Sequence, residues 1–114
     1  MDTERAVIVY TTYPSVVEAE EAGRKLVERR LCACVNIIPG MVSYYWWNGV
    51  MERGEEAVML IKTRVSLSAD VAVAVKEIHS YATPAIVVLP IENVEADYFE
   101  WLMSETAQPV GRKA

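Results

Sequence analysis

The amino-acid sequence predicts an α+β domain of the ferredoxin-like, split βαβ type: a four-stranded antiparallel sheet with both main helices on one face, extended by a long β-hairpin and a short C-terminal helix. Three observations predict it. Apolar and amphipathic segments follow one another in the order β-α-β-β-α-β before a last helical stretch. Ser43 to Lys62 reads as one hairpin, an aromatic limb and an apolar return joined by Asn48-Gly49. A length of 114 residues with 53% apolar residues suits a single domain with one core.

Taken in order, Ala6 to Tyr10 is a continuous apolar run suited to a central strand covered on both faces, and Thr11-Thr12-Tyr13-Pro14 is expected to end it. Ser15 with Glu18 three residues later has the form of a capping box, so a helix is expected from Val16 to about Arg30. Its apolar stripe is Val16, Ala19, Ala22, Gly23, Leu26 and Val27. Leu31 to Ile38 is the second strand, stopped by Pro39-Gly40. Arg53-Gly54 looks like a bulge or short loop within the hairpin's return limb. Ser66 or Ser68 is expected to cap a second helix reaching about Ser80, with Leu67, Val71, Val75 and Ile78 inward. Ala85 to Ile91 is the fourth strand, and Ala96 to Ser104 a short helix packing through Tyr98, Trp101 and Leu102. The ordered core is expected to span about residues 5 to 104, with 105 to 114 as a flexible tail.

Asn48-Gly49 suits a two-residue turn because both central positions require positive φ. Alternation along the limb puts Tyr44 and Trp46 on one face, and Tyr45 and Trp47 on the other. One core covers one face of such a hairpin, so the other needs a second subunit or a ligand. The bare face of the sheet asks for a cover as well. Both lines predict an oligomer with Tyr44, Tyr45, Trp46 and Trp47 at the interface.

A net charge of −5 argues against nucleic acid as a partner, since phosphate contacts need clustered Lys and Arg. The cluster Arg24, Lys25, Arg29 and Arg30 lies among Glu20, Glu21 and Glu28 and reads as a solvated helix face. No apolar stretch approaches the ~20 residues of a membrane span. The start MDTERAVIVY lacks the features of a secretory signal, so the cytosol is the expected compartment. Cys32 and Cys34, two apart in the expected second strand, should point the same way as reduced thiols. No nucleophilic triad, P-loop or dinucleotide fingerprint is present, so neither enzymatic activity nor an organic cofactor is expected.

Six ordered blocks then resemble the CutA family of divalent-cation tolerance proteins. They are Val7 to Thr12, Leu31 to Pro39, Ser43 to Trp47, Ile61 to Thr63, His79 to Pro84 and Tyr98 to Trp101. The likeness covers about residues 5 to 103. It implies a ferredoxin-like subunit in a tight homotrimer, an association with tolerance of copper and other divalent metals, and metal or small-ligand binding without an established reaction. It also implies an architecture like that of the trimeric PII signalling proteins, which bind effectors between subunits. Two departures stand out: Ala85 replaces the Glu usual after the Pro of the fourth strand, and Val94-Glu95 replaces a usual Gly-Asn.

The candidate metal ligands are His79 and Cys34. Imidazole is the commonest protein metal ligand, and thiolates prefer soft ions such as Cu(I). The alternatives are a histidine bonded to the end of its helix and a small buried cysteine. Lys62 with Thr63 suits an anion or a cation–π contact, or else protects a sheet edge. Trp47, Tyr81, Tyr98 and Trp101 suit the walls of an inter-subunit cleft, or ordinary packing. The carboxylates Glu18, Glu20, Glu21, Glu52, Glu55 and Glu56 read as a solvated face. The functional expectation is a homotrimer for divalent-metal tolerance, binding copper, another divalent cation or a small ligand between subunits. A PII-like signalling trimer and a structural scaffold with incidental metal affinity are the alternatives.

Overall fold

In the computed structural model, which describes residues 4 to 107, the elements are β1 (Ala6–Tyr13), α1 (Val16–Glu28), β2 (Cys34–Trp47), β3 (Val50–Arg64), α2 (Ser68–Ile78), β4 (Ile86–Pro90) and α3 (Ala96–Ser104). The four strands form one sheet in the order β2-β3-β1-β4 with every neighbouring pair antiparallel. The predicted α+β, ferredoxin-like order is therefore the observed one. No helix among the described residues is long and apolar enough to cross a membrane.

The strand period decides where the core sits. Val9, Tyr13, Met59 and Ile61 point to one face, where Ala19, Ala22 and Leu26 of α1 and Val71, Ala74 and Val75 of α2 bury them. α1 approaches closely because Gly23 has no side chain: a Cβ there would lie 2.8 Å from Val35 Cγ2 and 3.0 Å from Met59 Sδ. Gly23→Ala is expected to cost about 1 kcal/mol net, because overpacking of ~2 kcal/mol exceeds the ~1 kcal/mol gained in helix propensity. Thermal unfolding should show it as a midpoint lowered by about 4 °C.

Several local expectations give way to long-range pairing. β1 runs on through Thr11, Thr12 and Tyr13 because these residues pair with Met59, Val58 and Ala57. Pro39-Gly40 does not stop β2. The register slips by one residue between Ile38 and Met41, and Gly40 takes φ +80°, so the pair is a bulge inside a 14-residue strand. Arg53-Gly54, expected to be irregular, instead lies in regular register opposite Tyr44 and Ser43. Asn48 and Gly49 make the turn with φ +52° and +80°.

The helix ends differ from expectation in the same way. α1 stops at Glu28, and Arg30 takes φ +61°. Ser15 Oγ accepts the Glu18 amide, but the Glu18 carboxylate accepts from the amide and hydroxyl of Ser80 instead of closing a capping box. Neither Ser66 nor Ser68 caps α2, which grows out of a 3-10 turn over Val65–Leu67; Ser66 donates to Glu4, and Ser68 to the Val65 carbonyl. Ile78 faces outward, and β4 is shorter than predicted. Of the expected packing face of α3, only Leu102 is fully buried, while Tyr98 and Trp101 remain partly exposed.

Cys32 and Cys34 do not share a face. Cys32 precedes the strand and is packed in the core, whereas Cys34 opens β2 beside the Tyr98 hydroxyl. Residues 105–107 are tied down and not a tail: Thr106 is buried against Arg64, and the Ala107 amide donates to the Arg30 carbonyl at 2.7 Å. The remainder of the expected tail, 108–114, lies outside the described residues.

Candidate functional site

The bulge at Pro39-Gly40 decides which aromatics reach the sheet's open face. Without it, Tyr44 and Trp46 would share a face with Cys34 and Asn36; the extra residue inverts that parity. Tyr45 therefore lies over Gly54, where a Cβ would sit 3.7 Å from the Tyr45 ring and hydroxyl. Opposite the hairpin, the loop from α2 to β4 brings Tyr81, Thr83 and Ala85 to the same side. Together with Tyr10, Thr12, Ser43, Tyr44, Trp47 and Glu56, they enclose a recess of about 520 Å3.

Among the described residues, Glu56 is the only acidic one lining this recess. Its carboxylate accepts three neutral hydroxyl donors: Tyr81 OH at 2.8 Å, Ser43 Oγ at 2.9 Å and Thr12 Oγ1 at 3.2 Å. Among the described residues no Lys or Arg pairs with it. Burial first, and next the bond to Glu56, push the ionisation of Tyr81 well above the ordinary phenol range, so this hydroxyl remains a donor. Ala85 stands in the wall where the resemblance leads one to expect a Glu, so Glu56 supplies the negative charge of the wall among the described residues.

His79 stands behind the recess. Its ring stacks on Tyr13 at 4.2 Å between centroids and lies tilted against Tyr81 at 4.9 Å. Nδ1 accepts the Tyr81 amide at 3.1 Å, so Nε2 carries the proton and donates to the Thr12 carbonyl at 2.7 Å. Both ring nitrogens are thereby committed, and the imidazole fixes Thr12 and Tyr81, two of the three residues that donate to Glu56.

The other predicted site residues separate into two places. Lys62 Nζ lies 3.4 Å from the Tyr98 hydroxyl and 5.6 Å from its ring centroid, Cys34 Sγ lies 3.8 Å from the same hydroxyl, and Trp101 packs on Tyr98. This group is at the opposite end of the open face, since Cys34 pairs with Lys62 while Thr12 pairs with Val58. Thr63 belongs to neither place: it is fully buried on the helix side and donates to the Leu31 carbonyl. Within one chain, then, the expected cleft divides, with Trp47 and Tyr81 at the recess and Lys62, Tyr98 and Trp101 at the far end. His79 and Cys34 are likewise held apart. No group of three or more His, Cys, Asp or Glu among the described residues is arranged to hold a metal ion. Burial pushes the Cys32 thiol up to about 12, with Cys34 adding to the effect, so Cys32 stays protonated.

A profile of the CutA1 divalent ion tolerance protein family matches residues 7–105. The chain belongs to that family. It is 43% identical over 94 residues to the divalent-cation tolerance protein CutA of Archaeoglobus fulgidus, covering 82% of this chain and 91% of the relative. With the CutA of Pyrococcus horikoshii it shares 38% over 100 residues, or 88% and 97% of the two chains. The crystal structure of CutA1 from Ehrlichia chaffeensis superposes with a TM-score of 0.88 at 28% identity, over 94% of this chain and all of that one. In this CutA chain, sequence reasoning missed Tyr10, Thr12, Ser43, Glu56 and Thr83 as parts of one wall. The signal was the hydroxyl content of the strands around the aromatic limb, which acquires meaning only once the register is known.

Proposed function

We propose that this CutA chain serves divalent-cation tolerance as a homotrimer that binds a metal ion, copper or another divalent cation, or a small ligand between its subunits. One observation carries the reading: a single chain leaves its interaction surface uncovered. Ile38, Val87 and Leu89 on the open sheet face are 41–50% exposed, and Trp46 and Tyr44 at the hairpin are 73% and 66% exposed. Apolar area of this extent is the mark of a contact surface. Trimeric closure follows the family expectation and suits an isolated hairpin that must reach a neighbouring copy. The two free thiols support a reducing compartment, the cytosol.

Copper titration followed by gel filtration and metal analysis tests the metal part. Cys34 is the sulfur within reach of the open face, whereas His79 would have to surrender a backbone hydrogen bond to bind a metal. Stoichiometric copper that Cys34→Ser removes and His79→Ala retains is the expected result. Protein that retains no copper in any of the three forms would contradict direct metal binding.

A further inference from the structure

We infer that the Glu56 recess recognises a small organic cation through a primary ammonium or guanidinium group. This deepens the small-ligand reading above and rests on it for the class of function, though not for the geometry.

A carboxylate offers about four lone-pair positions. Three are filled at Glu56, all by neutral hydroxyls, so one acceptor position stays open and no cation among the described residues balances the charge. The surrounding walls carry the rings of Tyr10, Tyr44, Tyr45, Trp47 and Tyr81, whose faces attract a cation. Carboxylate and aromatics together ask for a ligand with one positive N–H donor and a modest apolar body. A volume of about 520 Å3 lies within the usual range for small-molecule sites. A hard divalent ion fits poorly: it needs several oxygen ligands, and three of the carboxylate's acceptor positions are already taken by hydroxyl donors. The thiol and imidazole that would suit a soft metal lie elsewhere or are committed.

Calorimetric titration of the full chain with n-butylammonium, n-butylguanidinium and the neutral 1-butanol tests this, with sedimentation run on the same samples. At least one of the cations should bind about ten-fold or more tightly than 1-butanol, and Glu56→Gln should remove that preference. Tyr45→Leu should weaken cation binding several-fold while retaining the preference over the alcohol. Equal binding of cations and alcohol, unchanged cation binding in Glu56→Gln, or no cation binding at all would overturn the proposal. Stoichiometric displacement of bound n-butylammonium by copper would likewise overturn it, since the recess would then be the metal's. Should Glu56→Gln fail to fold, selectivity on the unmodified protein decides by itself. Monomeric protein would count against the homotrimer alone, and the titration would still decide cation recognition.

Discussion

Arg64→Ala is expected to destabilise the domain by about 3–5 kcal/mol, the usual cost of stranding a buried charge. Arg64 is only 5% exposed. Its guanidinium donates to Thr106 Oγ1 at 2.9 Å, to Glu4 Oε2 at 3.2 Å and to the Met103 carbonyl, which ties the approach to β1 and the end of α3 to the end of β3. Removing it leaves the Glu4 carboxylate with Ser66 alone and takes the guanidinium donor from the Met103 carbonyl, which keeps only the Thr106 hydroxyl. Denaturant unfolding measures the loss. The double variant Glu4→Gln with Arg64→Met should recover much of it, because it replaces a charge pair by neutral groups of similar size. A loss under ~1 kcal/mol would show that solvent reaches the cluster.

The same cluster sets an acid dependence. Burial pushes the Glu4 carboxyl up, but the hydrogen bonds from Ser66 and the charge of Arg64 outweigh it and hold the group below its ordinary 4.5. The unfolded chain therefore binds this proton more readily than the native one. The stabilisation is complete above about 4.5 and is lost as the pH falls through the lower native value. Unfolding free energy measured below pH 4.5 should fall less steeply in Glu4→Gln than in the unmodified protein.

In the proposed homotrimer, Leu89→Asp is expected to separate the subunits while leaving each one folded. Leu89 sits on β4 opposite Ile8, on the sheet face away from α1 and α2, and is 41% exposed in the single chain. A carboxylate there costs an isolated subunit little. In an interface it would be desolvated without a partner, a penalty of several kcal/mol per copy, on the order of a hundred-fold or more in association. Circular dichroism should be unchanged and the sedimentation coefficient lowered. An unchanged coefficient would place the contact elsewhere on the molecule.

Which parts of this protein were legible beforehand follows from where their partners lie in sequence. The Asn48-Gly49 turn and the Ser15 N-cap bond act within a few residues, and both are present, whereas the reciprocal Glu18 half of the capping box is drawn off by Ser80. Pro39-Gly40 carries local breaker chemistry that predicts a stop, while a hairpin continuing on both sides absorbs the pair as a bulge. The face of every residue beyond it depends on that slip. Glu56, in a run of charged residues, reads as solvated; its three donors lie 44, 13 and 25 positions away. His79 is conspicuous as a residue type, but the Thr12 carbonyl that fixes its ring is 67 positions distant. Alternation from Leu31 puts Cys32 and Cys34 on one face, but in the fold the strand begins only at Cys34.

Sedimentation equilibrium of the unmodified protein at low micromolar concentration tests most directly whether copies of this chain cover its open sheet face and aromatic hairpin. Three chains of 12.8 kDa predict a species near 38 kDa that does not dissociate on dilution. A single 12.8 kDa species across the concentration range would contradict it, and the exposed Trp46, Tyr44 and Leu89 would need another partner.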